Sequence, residues 1–104
     1  MKHVIKRDGT IVPYEIEKIQ AAVFKAAYLG QINNEYIGTY HSDPVKSNFL
    51  ANTIARQVDT IIKTKQNNID IEEIQNIVVS QLNHISKYVG KSYLEYKTKK
   101  QLNR

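Results

Sequence analysis

The 104-residue chain contains no cysteine. That excludes a disulfide framework, a thiolate zinc site and a thiol nucleophile. No apolar run approaches the roughly 20 residues of a membrane-spanning helix. Met1-Lys2-His3 leads straight into a strand-like stretch with no signal-peptide core, so a cytoplasmic location is the expectation. Internal repeats, low-complexity segments and linker-like stretches are also missing, and residues 1–104 are expected to form one domain. The histidines His3, His41 and His84 lie far apart and share no metal-ligand spacing. No nucleophile–base–acid pattern can be assembled from the remaining residues, so no catalysis is expected of this chain.

What is present suits a globular protein, with 41% hydrophobic and 24% charged residues. The net charge of +5 favours anionic partners: nucleotides, nucleic acid or an acidic protein surface. Part of that excess lies in the terminal run Lys97, Lys99, Lys100 and Arg104, where cations also suit the negative end of a helix dipole.

Two short β-branched stretches flank Asp8-Gly9, a hairpin signal. Pro13 cannot donate to a ladder, so the second strand is expected to be short or at an edge. From Ile16 the apolar period becomes helical, with Gly30 as the stop. Residues 31–42 show no period and read as a loop with room for one helical turn. Asp43-Pro44 reads as an N-cap with proline at N1, opening a long helix striped by Val45, Phe49/Leu50, Ile54, Val58 and Ile61/Ile62. Asp70 with Glu73 resembles a capping box before a stripe of Ile71, Ile74, Val78, Leu82 and Ile85. A break near Ser86 precedes a last helix striped by Val89, Tyr93 and Tyr96. Strands are thus expected at about 3–7, 11–14 and 68–70, and helices at about 15–29, 44–65, 71–85 and 87–102. Strands first and helices after make the fold class α+β: a β-hairpin or three-stranded sheet capping a bundle of about four helices.

Charge picks out the candidate site. Lys6 and Arg7 lie at the lip of the hairpin turn, and Lys18 lies in the first turn of the next helix, the wrong end of its dipole for a cation. Glu15 and Glu17 offset that in part, and a bound phosphate would offset it better. Adjacent residues on a regular strand point to opposite faces, so Lys6 and Arg7 share a pocket only if a turn or bulge at Asp8-Gly9 re-aims one of them. Basic residues on a hairpin edge also guard against strand pairing, and spacing alone leaves both readings open. An alternative function uses the C-terminal lysines and tyrosines of residues 87–104, which could track phosphates and stack bases of a nucleic acid. The helical spacing of Tyr88, Tyr93 and Tyr96 favours core packing instead, and no nucleic-acid-binding fingerprint is present.

Three segments carry a family resemblance. Val4-Ile5-Lys6-Arg7-Asp8-Gly9, with Val12-Pro13-Tyr14-Glu15, Lys18-Ile19 and Ala26, resembles the opening of an ATP-cone domain. Ile69-Asp70-Ile71-Glu72-Glu73-Ile74-Gln75 is similar to the family's second signature, and Gly90-Lys91-Ser92-Tyr93-Leu94-Glu95-Tyr96-Lys97 to its closing one. They occur in order and together span nearly the whole chain. The resemblance implies a domain that binds ATP or dATP as an allosteric signal, usually with Mg²⁺ held by phosphate oxygens and water, and does no chemistry itself. It implies a ribonucleotide reductase catalytic or partner subunit in cis or in trans as partner, a homo-oligomer as one assembly, and no membrane. The Ile-Glu-Glu-Ile-Gln form and the tyrosine-rich end resemble cones of anaerobic reductases more than aerobic ones. A zinc-ribbon repressor of reductase genes, which also carries a cone, is not expected from a chain without cysteine.

By position, the resemblance puts Lys6, Arg7 and Lys18 at the triphosphate. It puts Val4 and Glu15 at the base and its hydrogen-bonding rim, Gln75 near the ribose, and Lys97 within reach of a phosphate. There are three departures. Asp70 replaces a usual threonine or serine, Lys97 replaces an arginine and loses bidentate geometry, and residues 31–42 match no part of the family pattern.

Overall fold

In the computed structural model, which describes residues 2–32, 35–36 and 39–102, four helices carry a three-stranded sheet at one end. The α+β class expected from the patterning is the one observed. β1 (His3–Ile5) and β2 (Ile11–Pro13) form an antiparallel hairpin, with Val4 opposite Val12. β5 (Asn68–Asp70) runs parallel to β1 on its other side, giving the order β2-β1-β5. Pro13 therefore ends a three-residue edge strand, where its missing N–H costs no ladder bond.

β1 stops at Ile5, short of Arg7, because the hairpin connection is longer than a two-residue turn. The Lys6 N–H donates to the Thr10 carbonyl, and the Gly9 N–H donates back to the Lys6 carbonyl at 2.9 Å. Gly9 sits at φ +87, the left-handed conformation that closes a bulged hairpin loop and that a side chain resists. The Asp8 carboxylate accepts from the Thr10 N–H at 2.9 Å, and hydrogen bonding by the Thr10 side chain, then by this N–H, lowers its pKa.

α1 (Ile16–Tyr28) buries Ile19, Ala22, Val23, Ala26 and Ala27. Gly30 is not its left-handed stop: Gly9 is the one glycine at positive φ among the described residues. The last carbonyls of α1 are met by the cap residue and by two tertiary partners instead, as buried helix ends require. Lys25 O accepts from the Leu29 N–H, Ala26 O from the buried Ser92 hydroxyl at 2.8 Å, and Tyr28 O from the Ser42 N–H. Within residues 31–42, read above as a loop, β3 (Gln31–Ile32) pairs antiparallel with β4 (Glu35–Tyr36). The helical turn expected in that stretch falls in part on residues 33–34 and 37–38, outside the described ones.

α2 (Pro44–Ile62) starts as expected, with the Asp43 carboxylate accepting from the Lys46 N–H. It ends at Ile62 rather than Lys65, and the Lys2 ammonium donates to the Lys65 and Gln66 carbonyls just beyond that end. Its core face is Leu50, Ala51, Ile54, Ala55, Val58 and Ile62. Val45 and Phe49, read as part of the stripe, are 78% and 72% exposed because the buried face of this end is set by Ser47 and Ala51. α3 (Ile71–Ile85) follows β5 directly. Its cap differs from a capping box: Asp70 accepts from the Glu72 N–H, and the Glu73 carboxylate pairs with Lys65 at 3.6 Å. Ser86 closes α3 and opens α4 (Lys87–Leu102), its N–H donating to Leu82 O and its hydroxyl accepting from the Val89 N–H. Ile85, read as core, is 45% exposed at this corner. The core lies between the four helices and the inner face of the sheet, where Val4 and Ile69 join Val23, Ile54, Val58, Val78, Leu82 and Val89. No helix among the described residues is long and apolar enough to cross a membrane.

A cation-lined cavity between hairpin, α1, α3 and α4

Pairing β1 with both β2 and β5 brings the hairpin tip beside the start of α3. Ile5 lies opposite Asp70 in the parallel ladder, so Lys6 and Arg7 extend past the sheet next to Ile71, Glu72 and Gln75. A cavity of about 420 Å³ opens there. This volume lies within the roughly 300–1,000 Å³ typical of small-molecule sites.

All seven residues assigned by resemblance line it: Val4, Lys6, Arg7, Glu15, Lys18, Gln75 and Lys97. Lys6 and Arg7 both reach it because Arg7 belongs to the hairpin loop and escapes strand alternation. Val4 and Val12, cross-strand neighbours, form the sheet's contribution to the wall. Ile19, Ala21 and Ala22 supply the small apolar side from α1, and Ile71 and Ile74 the side from α3.

Several lining residues were not singled out from the sequence. Lys25 lies seven residues after Lys18, two helical turns along the same face of α1, a spacing that could have revealed it. Tyr96 lines the cavity beside Lys97, whose ammonium also sits 5.6 Å from the Tyr93 ring centroid and 5.8 Å from that of Tyr96. Tyr14 lines it too, and its hydroxyl donates to Asp59 Oδ1 on α2 at 2.8 Å. Burial and that hydrogen bond raise the Tyr14 phenol well above its usual range. Burial works against charge on Asp59, but the bonds from Tyr14 and Lys63 outweigh it and hold its pKa below 3.8.

The electrostatics are one-sided. Among the described residues, Lys6, Arg7, Lys18, Lys25 and Lys97 line the cavity with Glu15 as the only lining carboxylate. Among the described residues, Lys6, Lys18 and Lys25 make no ion pair. Arg7 donates to Glu72 Oε1 at 2.5 Å and to Gln75 Oε1 at 3.0 Å. α1 opens against the cavity at Glu15 with no side-chain cap, so its first N–H groups add partial positive charge. Among the described residues no cluster of three or more His, Cys, Asp or Glu is placed to hold a metal. The C-terminal tyrosines do not form the stacking face of the alternative reading. Tyr93 is buried in the core, Tyr96 lines the cavity, and Tyr88 is 69% exposed; Arg104 of the basic run lies outside the described residues.

The chain is 30% identical over 98% of its length to the anaerobic ribonucleoside-triphosphate reductase of Escherichia coli, and 36% over 97% to that of Haemophilus influenzae. It is also 35% identical over 91% of its length to the vitamin B12-dependent ribonucleoside-diphosphate reductase of Thermoplasma acidophilum. It spans only 12%, 13% and 10% of those three proteins. The anaerobic relatives accord with the class suggested by the Ile-Glu-Glu-Ile-Gln segment. The profile of the ATP cone domain matches residues 2–102, and the chain belongs to that family.

Proposed function

We infer that this chain is an allosteric domain that binds ATP and dATP and through them controls the activity or oligomerisation of a ribonucleotide reductase. The observation that carries the reading is the cavity itself, in which Lys6, Lys18 and Lys25 converge without ion-pair partners among the described residues. A phosphate chain would stabilise such converging cations, and the free N–H groups that open α1 beside Lys18 add to the attraction. The hairpin loop and α1 supply the triphosphate contacts, the apolar walls take the base, and Gln75 on α3 reads the ribose. Mg²⁺ arrives with the nucleotide, held by phosphate oxygens and water. The chain performs no chemistry; catalysis belongs to the reductase it regulates, with which it acts in cis or in trans.

Regulation then works by population shift. ATP and dATP differ by one hydroxyl, so each favours a different arrangement of the domain against its neighbours only through differential contacts at that hydroxyl. Isothermal titration of the chain with ATP and with dATP tests the reading, and both are expected to bind one cavity competitively. Lys6→Ala and Lys18→Ala should each weaken binding by about 1–3 kcal/mol, as for hydrogen bonds between charged groups. Absence of heat with either nucleotide, alongside salt-sensitive binding of a short oligonucleotide, would replace this reading with the nucleic-acid one.

A further inference from the structure

The Arg7–Glu72 contact bridges 65 positions of sequence and engages a guanidinium that lines the cavity. We propose that Glu72 is a built-in counter-ion for Arg7, which a ligand phosphate must displace, and that it thereby sets the affinity of the domain for phosphorylated ligands. The inference rests on the nucleotide reading above.

Arg7 differs from the neighbouring lysines. Its guanidinium engages the Glu72 carboxylate and the Gln75 amide oxygen together, whereas Lys6, Lys18 and Lys25 make no ion pair among the described residues. A guanidinium fork recognises carboxylate and phosphate oxygens by the same planar geometry, so the two anions compete for one group. The exchange is cheap on the side of the displaced carboxylate. Glu72 is 63% exposed and stays hydrated when Arg7 leaves it. It also lies in the first turn of α3, where the helix dipole stabilises an anion without help from arginine. Glu73, the next residue, carries the same charge at the same helix end but pairs with Lys65 instead. It is therefore the internal control.

The sign follows. Exposed ion pairs of this kind are worth enough to alter a competing equilibrium by roughly 1.5- to 5-fold. Removing the carboxylate of Glu72 should tighten phosphate binding by that factor, because one anion that competes with the ligand for Arg7 is then gone.

The test is calorimetric titration of the 104-residue chain with ATP at low salt, with circular dichroism to verify that each variant is folded. Glu72→Gln is expected to bind ATP roughly 1.5- to 5-fold more tightly than the parent, and Glu73→Gln to bind like the parent. In an Arg7→Ala background the gain from Glu72→Gln should vanish, since no guanidinium remains to be contested. Equal or weaker binding by Glu72→Gln overturns the proposal and makes Glu72 a support that positions Arg7. A gain shared by Glu73→Gln, or one that survives Arg7→Ala, overturns it in favour of bulk charge. A parent chain that binds no ATP removes the nucleotide reading and the proposal together, a result distinct from the other outcomes.

Discussion

Lys18 shows how one residue can be placed for function against stability. It is the third residue of α1, where the helix dipole is positive and a lysine is unfavourable. No ion pair compensates it among the described residues, and its side chain lines the cavity. Lys18→Ala should therefore stabilise the ligand-free chain by about 0.3–1 kcal/mol while weakening nucleotide binding. Urea unfolding with and without ATP measures both effects on one variant. Lys18 was legible from its spacing, since the positive end of a helix is a local property. The alignment of Arg7 was not. Its direction depends on a loop whose closing bond joins Lys6 to Thr10 and on acceptors 65 and 68 positions away.

Elements are joined here by a few polar contacts that sequence periodicity does not encode. Tyr14, entering α1, donates to Asp59 on α2, and Ser92 on α4 satisfies a terminal carbonyl of α1. The first of these gives a pH dependence. Asp59 has a pKa below 3.8 in the folded chain, so its contribution to stability is fully present above that value and is lost as pH falls through the lower folded value. Asp59→Asn should accordingly be less stable than the parent at pH 6, with the difference shrinking as pH is taken below the ordinary carboxylate range, as judged by urea midpoints. The helices were recognisable because an apolar stripe repeating every three to four residues is visible in any window. Their ends were less so: α1 ends where Leu29, Ser92 and Ser42 meet its carbonyls, not at a left-handed Gly30. The two-residue strands β3 and β4 are too short to show an alternation at all.

At the scale of the whole molecule, the sheet acts as a clamp. β1 lies between an antiparallel partner adjacent in sequence and a parallel one more than sixty positions away, and the cavity forms where those partners bring the hairpin loop, α1 and α3 together, with α4 closing it. A ligand in that cavity touches four elements, so it should stabilise the fold as a unit. At an ATP concentration one hundred times Kd the expected gain is about 2.7 kcal/mol. A thermal melt checks this: the transition should move up with ATP concentration in the parent and much less in Lys6→Ala.

The sequence by itself determined the class of the fold, the hairpin at Asp8-Gly9, the four helical stripes and the family to which the three motifs point. These are local or periodic properties, written within a few turns of chain. Tertiary structure alone decided that Lys6 and Arg7 share a wall, that Lys25 and Tyr96 join them, and that Arg7 rests on Glu72 and Gln75. Each of those facts depends on the parallel register of β1 with β5, and a pairing over that distance is selected by burial of Val4 and Ile69 in the common core rather than by any neighbour in sequence.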